Sequence, residues 1–433
     1  MSGYSESEFQ VKANTIGTFN CWNLRECWAN EDEAWARMVG RDESNGYPFP
    51  MLRQSIYLED ETRNLHKPII CQDMSWSHDG TSFVTVHDDY GIRQYLVPDT
   101  EIAEGSVKEL IPFTRSFKNQ SVVSSRLHPG YSLFNESDAS NLILLAMRGV
   151  PLQLCPLQID SGDLQASRSF DVSNFTNGTY HVPHAIDFHG NSHFLAGFER
   201  NRICLYDINR SSPLWVSQST KKECGLSVHR AIVSCFDKQA NAFLPEHSTR
   251  VCGTYRNELH MIDIRTSKNQ FLHKLKSGRG IIQILKSENG HYLYTLKRNS
   301  NLIDILDMRQ PSKKLNTLKL PFNMGAQKFK ASLTAANGLT IGTDYGSVIN
   351  WPRDLVEFGG NDRTFVENSL TQKLGADTFG WESDLPYGNS RINLIEESPV
   401  EPGLFLVSYS PDKFAEPSTS IQSGLGLVYH PTA

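Results

Sequence analysis

Four arginines recur at nearly regular spacing through the middle of the 433-residue chain. Each stands in a short polar turn between two apolar runs, and the four are Arg148, Arg200, Arg256 and Arg298. A guanidinium group can donate two parallel hydrogen bonds to a phosphate and can stack on the flat face of a base. Such residues are suited to phosphate or nucleic-acid contacts if the fold brings them to one surface. Lys297, next to Arg298, adds to this basic set.

A second basic cluster, Lys221 and Lys222, ends a polar stretch and is consistent with either a solvated loop or a partner contact. The arginines also have a simpler explanation. Glu199 and Glu258 are close to them in sequence, and exposed ion pairs of this kind contribute little to stability. Both explanations stay open at the level of the sequence.

The arginine turns belong to a series of six similar turns, and this series predicts the fold. In one-letter code the turns read HDDYG at 87–91, MRG at 147–149, FERN at 198–201, YRN at 255–257, LKRN at 296–299 and TDYG at 343–346. Their Gly or Asn positions are separated by 58, 52, 56, 42 and 47 residues. A period of about 40–50 residues, built from short apolar runs, is typical of a β-propeller.

The clearest unit lies at residues 70–97. We predict strands at 70–76, 83–86 and 92–97, with Gly80 free to take a positive φ in the first turn. The run WSHDG at 76–80 resembles the corresponding hairpin of a WD repeat. First-strand candidates in the other units are 122–127, 185–188, 232–236, 281–285, 329–333 and 391–395. Third-strand candidates are 152–157, 203–208, 259–264, 302–306, 347–351 and 425–429.

These elements predict an all-β protein, a seven-bladed WD-repeat-like β-propeller over residues 51–433 that follows a short Trp-rich extension over residues 1–50. In a propeller, the turns between second and third strands lie on one face, near the central channel. The four arginines would then form an arc on one side of that rim. An unpaired sheet edge promotes aggregation, so we expect a strand at 51–58 to pair with the last unit and close the ring.

The N-terminal extension differs in kind from the repeats because it holds Trp22, Trp28 and Trp35, three of the seven tryptophans. Two interpretations are open, a partner-binding peptide or a segment packed back on the propeller. The polar stretches 1–14 and 361–390 are predicted to be loops or partly disordered.

The remaining reactive side chains form no recognisable catalytic or metal-binding set. None of the 14 histidines stands at ligand spacing from Asp, Glu or Cys, and His181 and His184 are three apart in an extended, Pro-interrupted segment. The chain has no Gly-x-Ser-x-Gly motif and no phosphate-binding glycine loop. We expect no catalytic residues, cofactor, metal or small-molecule substrate. A propeller hydrolase assembled from single residues of several blades is the enzymatic alternative.

Composition limits the partners. The net charge is −6, with 42 basic and 48 acidic residues, so any basic surface must be local. No run approaches 18 apolar residues and the start lacks a signal-peptide pattern, so we expect no membrane contact. The eight cysteines include no C-x-x-C pair. Cys204, Cys235 and Cys252 lie in apolar strand patterns, which favours reduced thiols in an intracellular protein.

Several stretches taken together resemble a yeast family of nuclear WD-repeat-like proteins that act in pre-mRNA splicing. The stretches are 71–98, 112–124, 217–222, 232–236, 252–258, 280–300 and 342–360, and the resemblance spans residues 68–433. They include CQDMSWSHDGTSFVTVHDDYGIRQYLVP at 71–98 and GTDYGSVINWPRDLVEFGG at 342–360. The family is more distantly similar to the telomerase Cajal-body WD-repeat protein.

The resemblance implies a non-enzymatic, nuclear splicing accessory factor. Such a factor associates with small nuclear ribonucleoproteins (snRNPs) and helps to stabilise the first of them, the U1-type particle, at the 5′ splice site. The implied partners are snRNP proteins and small nuclear RNA, and we expect a monomer. The alternative is a scaffold for ribonucleoprotein biogenesis or a small-RNA chaperone of the Cajal-body type.

Overall fold

Short apolar runs separated by polar turns form four-stranded antiparallel sheets along most of the chain. The computed structural model describes residues 9–15, 69–98, 107–110, 112–134, 138–157, 164–172, 180–217, 231–238, 249–335, 338–352, 381–388, 390–414 and 423–430. Strands are numbered β1 to β29 in chain order, and each four-stranded unit is called a blade.

The first three blades are consecutive antiparallel sheets. Blade 1 contains β2 (Cys71–Trp76), β3 (Ser82–His87), β4 (Gly91–Leu96) and β6 (Pro112–Phe117). Blade 2 contains β7 (Val122–Leu127), β8 (Leu142–Met147), β9 (Leu152–Pro156) and β10 (Arg168–Phe170). Blade 3 contains β11 (Ala185–His189), β12 (His193–Gly197), β13 (Ile203–Asp207) and β14 (Trp215–Ser217).

The next three blades follow the same plan, and the first strands of blades 4 and 5 also pair in parallel, which joins these two blades in one eight-stranded sheet. Blade 4 contains β15 (Val233–Lys238), β16 (Thr249–Thr254), β17 (Glu258–Asp263) and β18 (Lys268–Lys274). Blade 5 contains β19 (Ile281–Lys286), β20 (Tyr292–Lys297), β21 (Ser300–Asp307) and β22 (Lys314–Met324). Blade 6 contains β23 (Ser332–Leu333), β24 (Leu339–Gly342), β25 (Ser347–Trp351) and β26 (Trp381–Asp384).

Blade 7 combines both ends of the chain. It contains β27 (Arg391–Glu397), β28 (Leu404–Ser410) and β29 (Gly424–Tyr429), with β1 (Gln10–Asn14) as its fourth strand. Strand β1 pairs antiparallel with β29 and parallel with β5 (Lys108–Glu109), a short strand from the last connection of blade 1. The N-terminal strand is therefore held on both edges.

The first strands of the blades line a common axis. Contacts join β2 to β7, β7 to β11, β11 to β15, β15 to β19, β23 to β27 and β27 back to β2. Blades 5 and 6 are joined by hydrogen bonds between the Gln283 side chain and the backbone of Ala331. The ring is closed, which confirms the predicted all-β, seven-bladed propeller and its first and third strands.

The strand that closes the ring is not the predicted one. Residues 51–58 lie outside the described part of the chain, and Gln10–Asn14 fills the position expected for them. Residues 10–14 thus belong to the propeller and not to a separate extension over 1–50. In the short run QVKAN the first residue is exposed, and the Ala13 side chain is fully buried against the last blade. Residues 381–384, predicted as loop, form β26.

Apolar side chains between adjacent blades make the core, which is divided into clusters at the blade interfaces. Trp76 is 9% exposed, and its indole Nε1 donates a hydrogen bond of 3.1 Å to the Glu396 carbonyl of blade 7. Cys204, Cys235 and Cys252 are buried free thiols, as expected. The helical pieces of the described residues include the single 3-10 turns Asp138–Ser140 and Glu199–Asn201. No helix among these residues could traverse a bilayer.

Closure by β1 makes the stability of the whole ring sensitive to one small residue. We expect Ala13→Asp to lower the free energy of unfolding by about 3 kcal/mol or more, because it buries an unpaired charge in the blade 7 interface. Gln10→Asp, at an exposed position of the same strand, is the matched control. Urea unfolding followed by tryptophan fluorescence measures both. Equal midpoints for the two variants would show that β1 does not close the ring.

Candidate functional site

The six similar turns of the sequence connect second and third strands and lie on one face of the ring. Positive φ angles occur at Gly149, Asn201, Asn257, Asn299 and Gly346, and in blade 1 at Tyr90. Glycine and, less readily, asparagine adopt such angles at little cost, which explains the recurring residue types in five of these six turns.

Two of these asparagines also fix the turn to the next blade. The Asn201 side-chain oxygen accepts a hydrogen bond of 3.2 Å from the Ala231 backbone, and that of Asn257 accepts one of 2.6 Å from Gly280. Ala231 and Gly280 directly precede the first strands of blades 4 and 5. The turns are thus tied to the loops that enter the channel.

The structure places the four arginines of the predicted arc in two different settings. Arg148 and Arg298 line the mouth of a central cavity on this face. Arg200 and Arg256 are exposed in their turns and lie outside the lining. Lys221 and Lys222 lie outside the described residues.

Lys297 is not a surface contact, contrary to the prediction. Its side chain is fully buried, and its Nζ lies 2.5 Å from Asp304 and 2.6 Å from the Ser277 hydroxyl. The reason is strand alternation, since Lys297 ends β20 pointing inward while Arg298 begins the turn.

The cavity, of about 650 Å³, follows the propeller axis and is mainly cationic. Among the described residues its lining includes two carboxylates, Asp73 and Glu199. Against these stand five basic side chains, Arg126, Arg148, Arg298, Lys328 and Lys330. Three of these cations were missed in the sequence. They lie on the first strand of blade 2 and in the loop that enters blade 6. The signal available in the sequence is a polar or basic residue inside a predicted first strand, as in SSR at 124–126 and KFK at 328–330.

A recurrent bulge aims the first strands into the channel. In β2, β7, β15, β19 and β27 the pairing with the second strand shifts by one residue near the strand start. Three residues at these shifts, Val123, Ser234 and Ile282, line the cavity. A bulge re-aims the side chains that follow it, so plain alternation in the sequence does not identify the channel-facing residues.

The channel charges are linked across blades through Asp73. Its carboxylate pairs with Lys330, accepts a hydrogen bond of 3.0 Å from Ser125 and lies 3.4 Å from Arg126. Burial would raise the pKa of Asp73, but Lys330, Arg126 and Lys328 outweigh that effect and lower the pKa to about 2. Asp73 is therefore ionised throughout the neutral range.

The network continues from Arg126 toward blade 4. Arg126 Nε donates to Asp187 at 2.9 Å, and Asp187 also pairs with the fully buried Arg250. Arg250 Nε in turn lies 2.8 Å from Asp237. These ion pairs thus join blade 2 to blades 3 and 4.

Lys328 reaches across the channel, and its Nζ donates a hydrogen bond of 3.2 Å to the Val123 carbonyl. Burial lowers the pKa of Lys328, Asp73 opposes this effect, and the neighbouring cations Lys330, Arg126 and Arg298 add to it, so that the pKa lies at about 8. A side chain with this pKa is charged at neutral pH, and an anion beside it would stabilise the charged form.

The mouth of the cavity combines cations with flat rings. The Arg298 guanidinium carbon lies 5.1 Å from the centre of the Tyr255 ring, and Gly280 packs against that tyrosine so closely that a Cβ would lie 2.9 Å from it. Tyr180, 45% exposed, and His181 also belong to the lining. The guanidinium of Arg298 thus lies over the Tyr255 ring as a stacked cation–π pair.

His184 lies at the same mouth. Burial lowers the pKa of His184, Glu199 opposes this effect and Arg148 adds to it, so the imidazole is neutral at physiological pH. The described residues contain no group of three or more potential metal ligands.

The two sides of the rim differ in charge. On the side of blades 2 to 5, Arg148 and Arg298 line the cavity mouth, and Glu258 lies 3.8 Å from His260 and 4.0 Å from Lys274. On the side of blades 7 and 1, basic and acidic side chains form ion pairs, namely Lys413 with Asp88, Arg391 with Asp412 and Arg93 with Asp89. The arginines that line the cavity mouth therefore lie on one side of the rim.

Fold and site together define a closed seven-bladed β-propeller with a cationic, aromatic-lined central cavity. No protein-family model matches the chain. The chain belongs to the SWT21 family, because yeast proteins of that name match it over nearly its whole length.

Protein SWT21 of Zygosaccharomyces rouxii is 42% identical over 426 residues, which are 97% of each chain. The Vanderwaltozyma polyspora protein is 39% identical over 426 residues, 96% of each chain. That of Kluyveromyces lactis is 38% identical over 412 residues, 94% of this chain and 96% of the relative. Such coverage reaches into residues 1–67, which lie outside the resemblance found in the sequence.

Asp73 should stabilise the ring in a pH-dependent way. Its pKa is lowered on folding, so its stabilisation is present above the unfolded value of 3.8 and is lost as pH falls toward 2. The shift corresponds to about 2 kcal/mol at neutral pH. We expect Asp73→Asn to cost about that much at pH 7, and the difference from wild type to shrink below pH 4.

Chemical unfolding at a series of pH values measures this difference. Glu288→Gln, which removes an exposed carboxylate, is the control and should change little at any pH. A loss for Asp73→Asn that is the same at pH 3 and pH 7 would show that the carboxylate charge is not what matters.

Proposed function

We propose that this SWT21-family chain is a non-enzymatic splicing accessory factor that associates with snRNPs in the nucleus and helps to hold the U1-type particle at the 5′ splice site. The process is proposed from the resemblance of residues 68–433 to the yeast splicing family. The mode of action, docking by a monomeric propeller on snRNP protein or RNA, is proposed from the site.

One observation carries the mode of action: the cavity mouth concentrates positive charge in a chain of net charge −6. A protein of negative net charge repels nucleic acid at long range, so contact requires a local basic surface. The side of the rim formed by blades 2 to 5 supplies that surface through Arg148 and Arg298. The blade 7 and blade 1 side, where charges are paired, would be left for protein contacts.

The cavity chemistry favours binding over catalysis. Its charged groups are engaged with one another, as in the pair of Lys330 with Asp73. The thiol in its lining, Cys235, has its pKa raised by burial to about 12, so it is protonated at neutral pH and a poor nucleophile. This supports a docking platform over the alternative of a propeller hydrolase.

Charge reversal on one face tests the proposal. We expect the double variant Arg148→Glu and Arg298→Glu, tagged and purified from nuclear extract, to lose at least about tenfold of the co-purifying small nuclear RNA, which corresponds to about 1.4 kcal/mol. The matched control is Arg265→Glu with Arg309→Glu. These arginines are exposed in turns between third and fourth strands, on the opposite face, and make the same change in net charge.

Sequencing of the recovered RNA separates the candidate functions. Enrichment of the U1-type RNA, with accumulation of unspliced transcripts in cells that carry the Arg148/Arg298 variant, supports the splicing role. Recovery of telomerase or Cajal-body RNAs without splicing defects would favour the chaperone alternative. Equal RNA recovery by both double variants would exclude the cavity mouth as the docking surface.

A further inference from the structure

We propose that the central cavity is a nucleotide pocket that takes one unstacked nucleotide of a single-stranded RNA, with its phosphate on the channel lysines and its base against the stacked pair of Tyr255 and Arg298. This inference deepens the proposed function by naming the ligand class. It differs from that proposal because docking on an snRNP can occur without insertion of a nucleotide.

The charge of the cavity fits a phosphate. Lys328 donates to a backbone carbonyl, which is an exchangeable neutral partner, so its charge has no full counter-ion of its own. Asp73, the carboxylate that acts on Lys328, is shared with Lys330 and Arg126. Asp187, the other partner of Arg126, is shared with Arg250, which also pairs with Asp237. Three acids thus serve four cations in this network, which leaves positive charge that an incoming phosphate would neutralise.

The flat groups at the mouth fit a base. Unpaired bases bind by stacking on aromatic side chains and on guanidinium planes, and this contact tolerates any base. Arg298 lies over the Tyr255 ring, and Gly280 packs against the Cα and Cδ1 atoms of that tyrosine. A base that stacks on the guanidinium would extend an existing column, so little side-chain entropy is lost on binding.

These two features together favour RNA over an acidic peptide. A carboxylate needs the cations but has no use for a stacking column or for exposed Tyr180 beside it. The volume of about 650 Å³ lies within the range of about 300–1,000 Å³ typical of pockets for small ligands. A base pair within a duplex could not enter a channel of this size, so single strands are expected.

The pocket should respond to pH through Lys328. The charged groups facing it are Asp73 of β2, Arg126 of β7, Lys330 of the loop before β23 and Arg298 of the blade 5 turn. Deprotonation of Lys328 above pH 8 removes one cation, so affinity for RNA should fall between pH 7 and pH 9. Lys328→Arg keeps the charge at both values and should bind with little dependence on pH.

Fluorescence anisotropy of the purified full-length protein with a short labelled oligouridylate tests the pocket directly. We expect Tyr255→Ala to weaken binding by about tenfold or more, because a stacking contact is lost. Tyr255→Phe, which keeps the ring, should lose less. Asp73→Asn should bind more tightly than wild type, because it removes the competing carboxylate. Arg309→Ala on the opposite face is the control and should match wild type.

Two competitors decide the ligand class. Uridine monophosphate should displace the oligonucleotide, and a duplex RNA of equal length should bind at least tenfold more weakly. Binding that is unaffected by Tyr255→Ala and Asp73→Asn would overturn the pocket, as would equal affinity for duplex. A labelled oligoglutamate that binds as tightly as the RNA and is weakened by the same variants would assign the cavity to an acidic peptide. Should these tests fail while the tagged protein still recovers snRNPs, the docking function stands without the pocket.

Discussion

A propeller ring must be closed by a pairing between strands from the two ends of the chain. Here β1 pairs with β29 and closes the ring. Each of the other blades is built from a continuous piece of chain, whereas blade 7 needs residues 10–14 to complete its four strands. Pairing with β5 on the second edge removes the exposed strand edge that would otherwise invite aggregation. Everything on the axis depends on this joint, because the first strands converge only in a closed ring.

Where the seven first strands converge, charged side chains are brought together in the channel and must be paired. Bulges turn polar side chains inward in several blades, and buried charges are stable only when they are paired and hydrogen-bonded. Asp73 and Asp187 each join cations from two different segments, so the same contacts that satisfy the charges also hold neighbouring blades in register. At the upper end the cavity lining holds more cations than carboxylates, and the nucleotide pocket that we propose lies at that local excess.

The sequence was informative where one residue type decides a local conformation. Turns that need a left-handed residue require Gly or Asn, so the repeat and most first and third strands could be predicted from positions such as Gly149 and Asn257. Strand β1 could not, because a five-residue polar strand gains its stability from its partners and not from its own composition.

The site was predictable only in part, for a related reason. Arg148 and Arg298 stand in turns that the repeat locates, whereas Arg126, Lys328 and Lys330 reach the same cavity through bulges and an irregular loop. Lys297 was predicted to lie on the rim but does not. It precedes Arg298 by one residue, so its side chain points inward and pairs with the buried Asp304. The repeat in the sequence therefore predicts which face of the ring carries the candidate site, but not which residues line the cavity below that face.

The central claim is that the propeller meets RNA at the channel mouth formed by blades 2 to 5. Ultraviolet crosslinking of the protein to RNA in nuclear extract, with mass spectrometry of the nucleotide-bearing peptides, measures the contact residue by residue. We expect crosslinks at Tyr255 and Tyr180 and in the adjacent turns of Arg148 and Arg298. Crosslinks confined to the opposite face, or to the outer strands of the blades, would contradict it.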